Sequence, residues 1–267
     1  KSTDAGETWT VMKTGLPDAQ VWSIALDKNS PVNARILYAT SYDHGIYKTT
    51  DGGASWFPVN NGLGDNGNLQ VRKVLIDPGD SATLYAGIEV KQIENEADGS
   101  IQTIEGGLYQ STNHGESWQR RDIQQVSVWD IAVDPNNSQV IYTATYSGYD
   151  HTQQVTFIGG VYKSSDKGIS WQRINTGFGT EDNLNVSSVA VSPDNSNRLY
   201  ASTSDDPFHD RSSGRGIFKS DNAGQRWEPI SDPSKILDFG TVKIDPVNSS
   251  VIYGGSSGNG ILRGFVE

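Results

Sequence analysis

Short runs of apolar and polar residues alternate along the chain, and Gly, Pro, Asn or Asp separates most runs from the next. The runs at 128–133 and 140–145 are typical, because both are rich in β-branched and aromatic residues. This pattern indicates β-strands, and no stretch has the longer period of an amphipathic helix. We therefore predict an all-β chain of many short strands.

One eight-residue pattern recurs five times along the chain. The pattern is Ser/Thr-x-Asp/Asn-x-Gly-x-x-Trp, and it occupies residues 2–9, 49–56, 111–118, 164–171 and 220–227. Intervals of 47 to 62 residues separate successive tryptophans. Self-similarity with a period of this size is typical of β-propellers, in which each repeat forms one four-stranded blade.

The chemistry of this octet indicates a hairpin turn. Its Asp or Asn side chain can accept backbone N–H groups as Asx turns do, and its glycine can adopt a positive φ. We predict this structural role for Asp4, Asp51, Asn113, Asp166 and Asn222. The final tryptophan is predicted to pack between neighbouring blades, where a large ring buries much apolar area. These tryptophans are Trp9, Trp56, Trp118, Trp171 and Trp227.

Each octet lies inside a longer unit of four predicted strands. Three strands precede the octet, and the fourth strand begins at its tryptophan. The first strands are predicted at 21–27, 71–77, 128–135, 186–192 and 239–245. The five octets therefore predict a single β-propeller domain of five four-stranded blades that covers residues 1–267.

The two ends of the sequence suggest how this ring closes. Residues 260–263 are similar to the third strand at 45–48 but have no octet after them, whereas the chain begins inside an octet. We expect residues 1–14 to supply the outer strand of a blade whose other strands lie within 236–267, which removes the exposed sheet edges. The alternative is that the chain is a fragment of a larger protein with a longer repeat array.

Composition argues against several classes of function. The formal net charge is -11 without a basic stripe, which disfavours nucleic acid, and no apolar run is long enough for membrane insertion. The chain has no cysteine, no phosphate-binding loop, no Gly-x-Ser-x-Gly elbow and no His-Glu-x-x-His motif. We predict no cofactor.

Candidate functional residues concentrate in the predicted insertions at 89–105, 146–159 and 204–215, together with the loop at 42–44. These loops should gather on the face opposite the octets, and loops on a rigid scaffold often carry function. Each of three clusters contains an aromatic residue, an Asp and a His: Tyr42-Asp43-His44, Tyr149-Asp150-His151 and Phe208-His209-Asp210. Three interpretations remain open: a saccharide-binding platform, a metal site, or ordinary polar turns. The candidate catalytic carboxylates are Asp43, Asp150 and Asp210.

A second group of candidates lies at the start of the innermost strands. Trp22, Arg72 and Trp129 occupy equivalent positions in the first three repeats. They are predicted to lie at the mouth of the central channel, either as a ligand-binding surface or as a plug. The complete set of candidate ligand-binding residues is Trp22, Tyr42, His44, Arg72, Trp129, Tyr149, His151, Phe208 and His209.

The octets and the strands before them, such as Gly45-Ile-Tyr-Lys48, resemble the Asp-box (BNR-like) β-propeller superfamily. The resemblance covers essentially the whole chain and is locally most similar to xyloglucanase-type and sortilin-type repeats. It implies the propeller fold, but members of this superfamily include hydrolases and receptors, so the fold does not determine the function.

The catalytic residues of these relatives do not carry over to this sequence. The Arg-Ile-Pro segment of sialidases is absent, and Tyr42, not Asp43, falls where the first catalytic Asp of xyloglucanase-type enzymes would align. The favoured hypothesis is a non-catalytic binding or scaffold propeller of a secreted or cell-surface protein, with a polysaccharide or protein partner. The alternative is a xyloglucanase-like glycoside hydrolase, or one half of such a two-propeller enzyme.

Overall fold

The structure is a computed structural model that describes residues 1–121, 123, 126–179, 184–204, 214–232, 238–256 and 260–265. Within these residues, β-strands form five sheets that succeed one another as the blades of a propeller. The one helical element there is a short 3-10 turn at Val32–Ala34. The predicted all-β class and the five-bladed propeller arrangement are confirmed.

The first two blades are antiparallel four-stranded sheets. The first blade contains β1 (Val21–Leu26), β2 (Leu37–Ser41), β3 (Gly45–Thr49) and β4 (Phe57–Pro58). The second blade contains β5 (Val71–Asp77) and β6 (Asp80–Ile88), then an inserted hairpin of β7 (Lys91–Glu94) and β8 (Ile101–Ile104), then β9 (Gly107–Ser111) and β10 (Gln119–Arg121).

The remaining three blades repeat this plan. The third blade contains β11 (Ser127–Asp134), β12 (Asn137–Tyr146), an inserted hairpin of β13 (Gly148–Asp150) and β14 (Val155–Phe157), β15 (Gly160–Ser164) and β16 (Gln172–Arg173). The fourth contains β17 (Val186–Val191), β18 (Leu199–Thr203), β19 (Ile217–Ser220) and β20 (Glu228–Pro229). The fifth contains β21 (Phe239–Ile244), β22 (Val251–Ser256) and β23 (Gly260–Phe265).

The octets form the predicted turns, and one example shows the bonding that all five share. The Ser164 hydroxyl donates to Asp166 Oδ1 at 2.7 Å and accepts the Gly168 N–H at 2.8 Å. The Ser170 N–H donates to Asp166 Oδ1 at 2.9 Å. The other four octets repeat these three bonds. The octet Asp and Asn side chains therefore accept hydrogen bonds within their own turns.

The core consists of four apolar clusters, one between each pair of successive blades. In the first cluster, Tyr38 and Ile46 of the first blade pack with Val74 of the second. Trp118 and Trp227 belong to such clusters and are buried. Trp56 is also buried and Trp171 is partly buried, but Trp9 is exposed, because no other blade packs over it.

The first and last blades do not show the strand pairing that would close the expected ring. The fifth sheet has three strands, and residues 1–14 form no strand in this structure, so the expected closing pair between the two ends is not observed. In addition, β21 does not pack along β1 as the first strands of successive blades do elsewhere. Within the described residues, no blade covers the outward faces of the first and fifth blades, as the exposed Ile24 and Ile261 illustrate.

Candidate functional site

The first strand of every blade has a β-bulge near its start. In each case the pairing with the second strand skips one residue, and the five skipped residues are Trp22, Arg72, Trp129, Ser187 and Gly240. A bulge re-aims the side chain that it carries. The residue at this position is large in the first three blades and small in the last two, so only the first three bulges present a large side chain.

Five side chains, three of them at these bulges, form a continuous stack, which we call the Arg72 stack: Tyr42, Trp22, Arg72, Trp129 and Tyr146. The Cζ atom of Arg72 lies 3.6 Å from the Trp22 ring centroid and 4.0 Å from the Trp129 ring centroid. Trp129 lies parallel to Tyr146 with ring centroids 4.0 Å apart. Tyr42 meets Trp22 edge-on, with centroids 4.8 Å apart. The stack joins side chains of three blades.

Within the Arg72 stack, the charge of Arg72 is paired and both faces of the Trp129 indole are covered. Arg72 Nε donates to Glu89 Oε2, and both side chains are largely buried. Trp129 lies between Arg72 and Tyr146, so neither face of its indole is free to stack on a sugar ring. This geometry favours the interpretation of Trp22, Arg72 and Trp129 as a plug, and it leaves Tyr42 as the exposed ring at the edge of the stack.

The inserted hairpin β7–β8 connects the loops of the first and third blades. Lys91 Nζ lies 2.7 Å from Asp43 Oδ1 of the first blade. Gln92 Nε2 donates to the carbonyl oxygen of Tyr149 in the third blade at 3.2 Å. The His151 N–H donates to Thr103 Oγ1 at 2.9 Å. Residues 42–44, 91–94, 101–104 and 148–152 therefore form one surface, which we call the loop face.

The candidate carboxylates have different environments. The Asp43 side chain is 35% exposed and is paired with Lys91. Asp150 is 2% exposed, and its Oδ1 accepts the Thr152 N–H at 2.8 Å and the Gln153 N–H at 2.9 Å. Asp150 therefore stabilises a turn and is shielded from solvent. Asp210, together with Phe208 and His209, lies outside the described residues.

Two tyrosines are the exposed aromatic residues of the loop face. Tyr42 is 39% exposed and Tyr149 is 41% exposed. The Tyr149 ring meets the His151 ring edge-on, with centroids 4.9 Å apart. His44 is exposed beside Asp43. No group of three or more His, Cys, Asp or Glu side chains in the described part of the chain is placed to hold a metal ion. The loop face thus combines exposed rings with polar groups.

An ion cluster around the buried Asp130 joins the first strands of four blades, and the sequence did not predict it. Asp130 Oδ1 lies 3.0 Å from Lys73 Nζ, and Asp130 Oδ2 lies 3.1 Å from Lys243 Nζ. The Ser188 hydroxyl also donates to Asp130 Oδ2 at 2.5 Å. Burial opposes ionisation of Asp130, but Lys243, Lys73 and Ser188 hold its pKa below the usual value. The available signal was a charged residue, Asp130, between the apolar Trp129 and Ile131 in β11.

Residues 106–255, more than half of the chain, match the sequence pattern of the Sortilin-Vps10 family, described as sortilin, neurotensin receptor 3. The chain belongs to the Sortilin-Vps10 family. The part that matches this family begins before β9 and ends within β22, so it includes the third and fourth blades completely. No helix in the described residues of this Sortilin-Vps10 chain has the length and hydropathy needed to cross a membrane.

Curated relatives and solved structures add a second similarity. The chain is 23% identical to a xyloglucanase of Hypocrea jecorina, in an alignment that covers 88% of the chain. It is 24% identical to a probable oligoxyloglucan-reducing end-specific xyloglucanase of Neosartorya fischeri, in an alignment that covers 98% of the chain. The crystal structure of an ancestral GH74 enzyme covers 91% of the chain with 25% identity and a TM-score of 0.64. The chain spans 29%, 31% and 28% of the length of these three proteins, respectively.

Proposed function

We propose that this chain is the polysaccharide-binding propeller of a xyloglucanase-like glycoside hydrolase and that the loop face holds the polymer. The observation that carries the proposal is the continuity of this face, where Tyr42 and Tyr149 are exposed beside Asp43. Exposed tyrosine rings can cover the apolar faces of sugar rings while neighbouring polar groups bond to hydroxyls. The xyloglucanase similarity supports this hypothesis over a purely non-catalytic scaffold.

The environments of the candidate carboxylates limit which of them can take part in catalysis. Glycoside hydrolysis uses two carboxyl groups, about 5–5.5 Å apart in retaining enzymes and about 6.5–9.5 Å apart in inverting ones. Asp43 is accessible to solvent, whereas Asp150 is buried and its carboxylate accepts hydrogen bonds within its own turn. We therefore infer that cleavage requires Asp43 together with a carboxylate other than Asp150. A polymeric glycan of this kind is met outside the cell, so we propose a secreted or cell-surface location.

A binding screen that also detects cleavage tests this function. The purified chain is run in native gels that contain xyloglucan, other β-glucans or no polysaccharide, and reducing-end release is measured on the same samples. We expect retardation by xyloglucan that free xyloglucan oligosaccharides relieve. If reducing ends are released, Asp43→Asn should abolish the release. Unchanged migration in every polysaccharide would contradict the proposal.

A further inference from the structure

The inserted hairpin β7–β8 is bonded to the third blade along one of its two faces. Side chains alternate between the two faces of a strand, and residues that pair across two strands share a face, so Gln92 lies on the same face as its partner Thr103. Gln92 Nε2 donates to the carbonyl oxygen of Tyr149 at 3.2 Å, and Thr103 Oγ1 accepts the His151 N–H at 2.9 Å. This face of the hairpin is therefore turned to the third blade and is used for contacts with it.

The opposite face of the hairpin is turned to the first blade and carries exposed side chains. Lys91 and Ile93 lie on this face, because side chains alternate along β7. Lys91 Nζ lies 2.7 Å from Asp43 Oδ1, which shows the direction of the face. Ile93 is 41% exposed, and its partner across the hairpin, Gln102, is also exposed. We call the space between this face and the turn at 42–44 the trough, and the Lys91–Asp43 ion pair spans it.

The first blade supplies an aromatic wall to the trough. The Tyr42 hydroxyl accepts a hydrogen bond from Gln70 Nε2 at 3.3 Å, and the Tyr42 ring meets Trp22 edge-on. The Gln70 carbonyl oxygen also accepts the Glu89 N–H at 3.1 Å, two residues before β7, so Tyr42 points towards the base of the hairpin. The ring is thus held by its neighbours and is still exposed, and a ligand that packs on it loses little side-chain entropy.

The Lys91–Asp43 ion pair gives the trough hydrogen-bonding groups without a net charge. Both side chains are partly exposed. The second carboxylate oxygen of Asp43 can accept a hydroxyl proton, and the Lys91 ammonium has further N–H donors. An anionic ligand would compete with Asp43 for Lys91 and would be repelled by the exposed Glu94, which follows Ile93 in β7. These groups therefore fit a neutral glycan better than an anionic one.

We propose that the trough holds one pyranose ring of a neutral β-glucan, an inference that rests on the proposed function. One face of the ring lies on Tyr42, the other face is turned to Ile93, and its hydroxyls bond to Asp43 and Lys91. A β-linked glucose ring fits these walls, because its ring hydroxyls are equatorial and both of its faces present C–H groups. A mannose ring has an axial hydroxyl on one face and fits less well. Tyr149 lies on the other side of the hairpin and contributes less.

Single variants and two polymers test the trough. The affinities of Tyr42→Ala, Ile93→Ala and Tyr149→Ala for xyloglucan are measured by titration calorimetry. Val155→Ala is the matched control for Ile93→Ala, because Val155 is an exposed aliphatic residue of the other inserted hairpin and lies outside the trough. We expect a loss of about tenfold for Tyr42→Ala and about threefold for Ile93→Ala, a smaller loss for Tyr149→Ala than for Tyr42→Ala, and no loss for Val155→Ala.

Two further measurements separate the trough from binding elsewhere on the loop face. Tyr42→Phe keeps the ring and should retain most of the affinity, which distinguishes stacking from a disturbed fold. The original chain should bind β-mannan at least about fivefold more weakly than xyloglucan, and Ile93→Ala should reduce this difference. A larger loss in Tyr149→Ala than in Tyr42→Ala, or equal affinity for the two polymers, would overturn the trough and leave polysaccharide binding intact. Failure of the original chain to bind either polymer would overturn both proposals.

Discussion

Ile24 and Ile131 occupy the same position in the first strands of two blades, yet Ile24 is 62% exposed and Ile131 is 3% exposed. The second blade covers Ile131, whereas no blade covers Ile24. Ile131→Ala should therefore lower the free energy of unfolding by about 3 kcal/mol, the usual cost of such a truncation in a core. Ile24→Ala should change it by less than about 0.5 kcal/mol. Urea denaturation of the two variants measures both values, and equal losses would mean that the first blade is covered in solution.

The ion cluster around Asp130 predicts a larger loss of stability when its aspartate is removed than when Lys243 is removed. Asp130→Ala leaves the mostly buried Lys73 without its carboxylate and should lower the free energy of unfolding by about 3 kcal/mol. The Lys243 side chain is half exposed, so Lys243→Ala should cost less than about 1 kcal/mol. Chemical denaturation at neutral pH checks the order, and a larger loss for Lys243→Ala would refute this account of the cluster.

The octets make stability depend on pH in the acid range. Hydrogen bonds from the Ser170 hydroxyl and N–H and from Ser164 lower the pKa of Asp166 from 3.8 to about 2. Because the folded pKa is depressed, this contribution to stability is complete above about pH 4 and is lost as the pH falls towards about 2. Asn113 shows that an amide fits the same turn, since its Nδ2 donates to Ser117 at 2.9 Å.

Asp166→Asn should therefore remove one part of this acid sensitivity. The melting temperature of the variant, relative to the original chain, should rise as the pH is lowered from about 6 to about 2, because the amide does not titrate in this range. Differential scanning calorimetry across the series gives the comparison. A constant difference between the two proteins at every pH would show that Asp166 does not contribute in this way.

The Arg72 stack predicts that Arg72→Lys lowers the stability of the protein. Arg72→Lys keeps the positive charge near Glu89 but loses the planar group that lies between Trp22 and Trp129. We expect a decrease of about 1–2 kcal/mol in the free energy of unfolding, together with a changed near-ultraviolet circular dichroism signal from the indoles. Retention of both the stability and the spectrum would show that the stack does not depend on the guanidinium.

The sequence predicted the features that depend on local chemistry. Asp166 and Gly168 specify their turn through neighbours within four residues, so the octet alone sufficed. The serine bonds between blades, such as that from the Ser81 hydroxyl to Asp27 Oδ1 at 2.8 Å, were also within reach. A serine recurs four residues before Tyr85, Tyr142, Tyr200 and Tyr253 but not before Tyr38.

Features that depend on contacts between blades or on the inserted hairpins could not be predicted from the sequence in the same way. The exposure of Trp9 differs from that of Trp227 although both end the same octet, because only Trp227 has a neighbouring blade to pack against. Asp150 resembled Asp43 in its sequence context, but the hairpin β13–β14 buries it and directs its carboxylate to backbone N–H groups. The difference between Trp9 and Trp227 follows from which blades are adjacent, and the difference between Asp150 and Asp43 follows from the inserted hairpin.

The central claim, that the loop face binds polysaccharide, is tested most directly by measuring xyloglucan affinity in two matched variants. One carries Tyr42→Ala and Tyr149→Ala, and the other carries Phe57→Ala in the outer strand β4, where the ring is 45% exposed and lies outside the loop face. The account predicts a loss of affinity of about tenfold or more for the double variant, as expected when stacking worth about 1.4 kcal/mol is removed, and unchanged affinity for Phe57→Ala. Unchanged affinity in the double variant, or an equal loss in Phe57→Ala, would contradict the claim.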